Sequence, residues 1–130
     1  MRAPSLFALV LALSGCTADV RDSPGVVTGF LTVDWSISGS QGSAACRQSD
    51  ADRINVALQT VDGIDLGEFE DVCEAFQTTI ELAPDDYTGN ALLLDPSGTP
   101  RTTAVGLGRV QIFSDEELVV PIDFPSDSFY

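Results

Sequence analysis

Apolar and polar residues alternate with a period of two through most of the chain. Leu31, Val33, Trp35 and Ile37 share one face and Thr32, Asp34, Ser36 and Ser38 the other, which predicts a half-buried strand. The same alternation predicts a second strand over Ile54, Val56 and Leu58, closed by Asp62-Gly63, a dipeptide that tolerates positive φ in a turn. A third strand carries Phe76, Thr78, Ile80 and Leu82. After the turn Ala83-Pro84-Asp85-Asp86 comes a fourth, Tyr87 to Asp95, itself closed by Pro96-Ser97-Gly98. Near the carboxyl end Leu118, Val120, Ile122 and Phe124 alternate with Val119, Pro121 and Asp123, and Pro121, which cannot donate to a ladder, predicts a sheet edge or a bulge.

Three stretches depart from this pattern. Gly39 to Asp52 reads as a long Gly/Ser/Asp loop. Gly63 to Cys73 reads as an acidic loop, with Leu66 to Phe76 able to form one turn of helix. Arg101 to Phe113 reads as one or two short strands broken by Gly106 and Gly108. Six to eight short strands punctuated by turns predict an all-β fold, an antiparallel β-sandwich. Its expected core is Leu31, Val33, Trp35, Ile37, Ile54, Val56, Leu58, Phe76, Ile80, Leu82, Leu93, Val120, Ile122 and Phe124.

The first sixteen residues are of a different kind. An apolar run from Leu6 to Leu13 follows Met1-Arg2 and ends in Leu13-Ser14-Gly15-Cys16. As a helix, eight residues cover only about 12 Å, against roughly 30 Å of bilayer hydrocarbon, so the run is a targeting segment and not a span. The tetrad resembles a lipobox, which implies cleavage before Cys16 and lipidation of its thiol. The expected organisation is a signal peptide over 1–15, a lipidated amino terminus and tether over 16–26, and a β domain over 27–130. Anchoring at the cell envelope follows. Thr17 stands where an aspartate would resemble an inner-membrane retention signal, so the outer membrane is favoured if the cell has two.

Charge narrows the function classes. The chain has 20 acidic and 6 basic residues, a net charge of −14, and no histidine. Such a field repels phosphate backbones, so nucleic acid is not an expected partner. Without histidine or lysine the usual general bases are missing, and no Gly-x-Ser-x-Gly elbow occurs, so neither enzyme activity nor a cofactor is expected. Lipidation of Cys16 leaves Cys46 and Cys73 with a single possible pairing. Their bridge would close a loop of about 28 residues, worth roughly 3 to 4 kcal/mol in the chain-entropy model; the alternative is two buried free thiols.

The succession Leu31-Thr-Val-Asp-Trp35-Ser-Ile, the pair Cys46 and Cys73, Leu82-Ala-Pro-Asp-Asp-Tyr87 and Leu93-Leu94-Asp95-Pro-Ser-Gly98 resembles small bacterial envelope lipoproteins. Their domain is a transthyretin-like or carboxypeptidase-regulatory-like β-sandwich. The resemblance spans Val27 to Phe124 and implies a spacer, adhesive or partner-binding module; an immunoglobulin-like sandwich fits the same strands.

Candidate binding residues each have a structural explanation beside the functional one. Asp62, Asp65, Glu68, Glu70 and Asp71, and separately Asp50 and Asp52, could offer hard oxygen ligands to calcium, although the spacing fails the EF-hand pattern. A solvated acidic surface is the preferred account of the same residues. Trp35 could stack on a sugar but shares its face with core residues. Tyr87, at a turn-to-strand junction, suits a tyrosine corner. A lipid-facing barrel would need longer strands and aromatic girdles. The reading is a lipid-anchored, non-catalytic structural or protein-interaction module with an envelope protein as partner, and a weak calcium- or carbohydrate-binding module as the alternative.

Overall fold

The computed structural model describes residues 27–130. The expected signal peptide, Cys16 and the expected tether lie outside the described residues. The expected sandwich is present, built from seven strands: β1 (Gly29–Ile37), β2 (Arg53–Thr60), β3 (Asp65–Val72), β4 (Gln77–Leu82), β5 (Asp85–Leu94), β6 (Val105–Ile112) and β7 (Glu117–Phe124). A three-stranded sheet in the order β4-β1-β7 faces a four-stranded sheet in the order β3-β2-β5-β6. β1 runs antiparallel to β4 but parallel to β7, so the three-stranded sheet is mixed. Alternation along a strand reveals which residues face inward and not which neighbour it takes, and the pairing of first strand with last has no local signature.

The inward faces match the pattern read from the chain. Leu31, Val33, Trp35, Ile54, Val56, Leu93 and Phe124 are fully enclosed, and Ile37, Leu58, Phe76, Ile80 and Leu82 are buried with them. Val120 and Ile122 are only half-buried and pack against this core from β7, whose place at the sheet edge leaves one flank uncovered. That edge position is what Pro121 predicts. Tyr87, Ala91, Leu107, Val110 and Ile112 complete the core from β5 and β6. Thr32, on the outer face of β1, is also fully enclosed: its hydroxyl lies 2.9 Å from that of Thr79 on β4 and donates to Glu117 Oε2 at 2.5 Å on β7. Three strands are thereby joined by side chains on the solvent face as well as by their ladders.

Four local expectations need correction. The loop Gly39 to Asp52 contains a short helix, α1 (Ser43–Gln48), which seats Cys46 against the core. Gly63 to Cys73 is mostly the strand β3, which disguises itself by exposing charge on its outer side and by a register shift opposite Leu58 and Gln59, where Leu66 is the extra residue. The proposed helical turn over Leu66 to Phe76 shrinks to a 3-10 turn at Cys73–Ala75. Finally, Arg101 to Phe113 contributes one strand, β6, with its own register shift at Leu107, and Gly108 takes φ 75° there. The glycine that looks like a break is the residue that permits the bulge.

Cys46 and Cys73 form a disulfide with Cα atoms 6.1 Å apart. The corner after Cys73 is tied to β1 by further bonds: Trp35 Nε1 donates to the Cys73 carbonyl at 3.0 Å and the Trp35 amide donates to the Phe76 carbonyl at 3.0 Å. Phe76 holds φ 57°, a left-handed conformation for a bulky residue, and its ring centroid sits 6.3 Å from that of Trp35. Such a conformation costs roughly 1 to 3 kcal/mol, which the burial of the ring offsets.

Candidate functional site

The outer face of the four-stranded sheet is the most site-like surface. Register places Glu68 of β3, Ala57 of β2 and Asn90 of β5 in one row, and Asp65, Gln59 and Thr88 in the next. Ala57 is the small residue at the centre, so its row sinks to form an open depression of about 310 Å³ walled by the longer side chains. Gly89 lies beneath, with Ala57 O only 2.3 Å from where a Cβ would stand. Two amides, one hydroxyl and two carboxylates therefore converge on a shallow floor that holds no aromatic ring. Neither a nucleophile beside a base nor an enclosing wall is part of this lining.

The carboxylates singled out in the sequence are dispersed. Asp62 sits in the turn between β2 and β3. Glu68 and Glu70 both accept from Asn55 Nδ2, at 3.0 and 3.2 Å, and Glu70 Oε1 also accepts from Arg53 Nη1 at 3.0 Å. Asp65 accepts from the Gly67 amide and Asp71 from the Val72 amide, each at 2.8 Å. Asp52 stands 3.4 Å from Arg53 Nε, a buried nitrogen without a hydrogen bond, so the pair is an electrostatic contact only. Asp50 ends the α1 region at φ 55°. Among the described residues no three carboxylate or cysteine side chains come together to hold a metal ion. Partners within the sheet explain where most of these acids point.

Trp35 is enclosed, so its indole is a core element and not a stacking platform. Tyr87 is buried and its hydroxyl donates to the Ala83 carbonyl at 2.6 Å, four residues upstream, which is the corner expected of it. Burial pushes its phenol pKa up, with the Asp85 charge adding to the effect. Asp86 is held below the ordinary carboxylate range by the hydrogen bond from Arg109 at 2.6 Å, and Asp95 by bonds from the Ser97 hydroxyl and the Thr99 amide. The depression itself escaped sequence reasoning. Its only signal was Ala57 and Gly89, small residues in strands otherwise rich in larger ones.

No protein-family model and no curated protein sequence matches the chain. Among solved structures, a Bacteroides thetaiotaomicron protein provisionally described as polysaccharide-binding is similar at 10% identity and a TM-score of 0.44, covering 72% of this chain and 46% of its own. A leucine-rich repeat protein of the same organism is similar at 16% identity and a TM-score of 0.42, with 88% of this chain against 15% of its own. The chain thus spans about half of the first protein and a small part of the second. Neither likeness bears on function.

Proposed function

We propose that the protein is an envelope lipoprotein, anchored through lipid on Cys16 and directed to the outer membrane where the cell has two. Its sandwich serves as a non-catalytic protein-interaction module. The carrying observation is the polar depression on the outer face of the four-stranded sheet, shallow and open, with amide, hydroxyl and carboxylate groups on its rim. Such a surface suits the polar side chains of another protein better than a sugar ring, because stacking requires an aromatic floor. The acidic field adds a preference for a basic partner and an association that weakens with salt.

The test is recovery of partners with the intact lipoprotein from its own envelope. Ala57→Tyr fills the depression from its floor, points outward from the sheet and should abolish recovery while the fold stays intact. Cys16→Ser should leave an unprocessed precursor, read by mass spectrometry. A trimmed, lipid-free product from both versions would reject the anchor, and unchanged recovery with Ala57→Tyr would reject the surface.

A further inference from the structure

A sandwich of two open sheets has four edges, and three of them here carry features that discourage further pairing. β3 has a register shift, Gly67 at φ 92° and a row of acids. β6 has a register shift with Gly106 and Gly108. β7 has Pro121, which supplies no donor. β4 has none of these: Gln-Thr-Thr-Ile-Glu-Leu runs six residues without glycine, proline or bulge, and its register with β1 is unbroken from Gln77 to Leu82. Natural proteins blunt exposed edges, so an unblunted one is a template for another strand.

The register also shows which backbone groups are open. The Trp35 amide donates to the Phe76 carbonyl, which makes Trp35 and Phe76 a hydrogen-bonded pair of the antiparallel ladder. Antiparallel pairs alternate, so Thr78, Ile80 and Leu82 bond to β1, while Gln77, Thr79 and Glu81 turn their N–H and C=O away from it. No backbone partner meets those three residues among the described residues. Three donors and three acceptors therefore stand in line along this flank.

Asp71 gives the flank its chemical preference. Its register partner Ile54 is fully buried, so the Asp71 side chain lies on the core-facing side of β3, at the rim nearest the corner that leads into β4. An added strand would direct alternate side chains into the rim between the sheets, where Leu66 and Phe69, half-buried on the inner face of β3, offer apolar surface and Asp71 a negative charge. We infer that β4 is a strand-addition site for an extended segment of a partner protein that alternates apolar with basic side chains on its inward face. This rests on the interaction-module reading and adds to it the edge used and the chemistry of the segment.

A blocked heptapeptide, Thr-Val-Thr-Lys-Thr-Val-Thr, is the probe, added to the full-length protein. Binding should slow hydrogen exchange at the amides of Gln77, Thr79 and Glu81. N-methylation of its inner threonines, whose N–H groups would face β4, should abolish binding, whereas N-methylation of the two valines should spare it. Replacing its lysine by glutamate should weaken binding by about tenfold or more at low salt, and Asp71→Asn should erase most of that preference. Thr79→Pro removes one outward donor; should that variant fail to fold, the N-methylated peptides still decide. Failure of the peptide to bind, equal binding of both N-methylated forms, or protection confined to the depression at Ala57 and Asn90 would overturn the site. Amides already slow without peptide would assign the edge to the chain's own segment, and protection that grows with protein concentration would assign it to a second copy; either overturns the inference. None of these results touches envelope recovery through the depression, so the two readings fail separately.

Discussion

Trp35 gathers several constraints into one side chain. It is fully enclosed, its indole N–H satisfies the Cys73 carbonyl, and its ring borders Phe76 at the strained corner. Trp35→Ala should therefore cost about 3 to 5 kcal/mol, measured by denaturant unfolding. At the opposite end of the sandwich Tyr87→Phe removes one hydroxyl bond to Ala83 and should cost roughly 0.5 to 1.5 kcal/mol. The shifted groups set the pH response. Asp86 and Asp95 have folded pKa values below the ordinary 3.8, so what they contribute is present above that value and is lost as pH falls through the lower folded pKa. Tyr87 has a folded pKa above 10.0, so its contribution is complete below 10.0 and is lost as pH rises through the higher folded value. With no histidine, thermal stability should stay level between about pH 5 and 8. A transition inside that window would show that some other group is titrating.

Among the elements, the disulfide carries the largest single expectation. It joins α1 to the corner before β4, and replacing either cysteine should cost about 2 to 5 kcal/mol. Free-thiol labelling of the unfolded, unreduced protein should leave both positions unmodified. Gly89 is a second sensitive point, because a Cβ there would stand 2.3 Å from the Ala57 carbonyl oxygen and 2.8 Å from a Leu58 methyl. Gly89→Ala should destabilise by roughly 1 to 3 kcal/mol through forced separation of β2 and β5. These elements also show what a sequence can convey. β1, β2, β4, β5 and β7 were legible because one face of each is buried and the other wet. β3 was not, since its outer face is acidic, its inner face has Leu66 and Phe69 only half-buried, and a bulge breaks the period. β6 was blurred by the same device, with Gly106 and Gly108 standing for an interruption that the bulge absorbs.

For the molecule as a whole, the layered architecture was readable and the neighbour relations were not. Alternation gives no information on which strands meet, so neither the parallel pairing of β1 with β7 nor the identity of the four edges was accessible. The depression was equally hidden: its rim residues come from three strands and look like ordinary solvent-facing positions until register aligns them. The acids expected to form a loop surface between Gly63 and Cys73 lie instead on an edge strand, so recognition there would act through strand geometry and not through loop mobility. The central position of β1 has a mechanical meaning. β1 is gripped by β4 on one side and β7 on the other, and it is the strand through which the domain joins the chain that precedes it. A tug from that side acts along the strand axis, so the bonds of both ladders share the load at once instead of opening one after another. Pulled from its amino-terminal end, the domain should therefore resist as a shear-loaded joint, and rupture should require β1 to slide out from between its two neighbours.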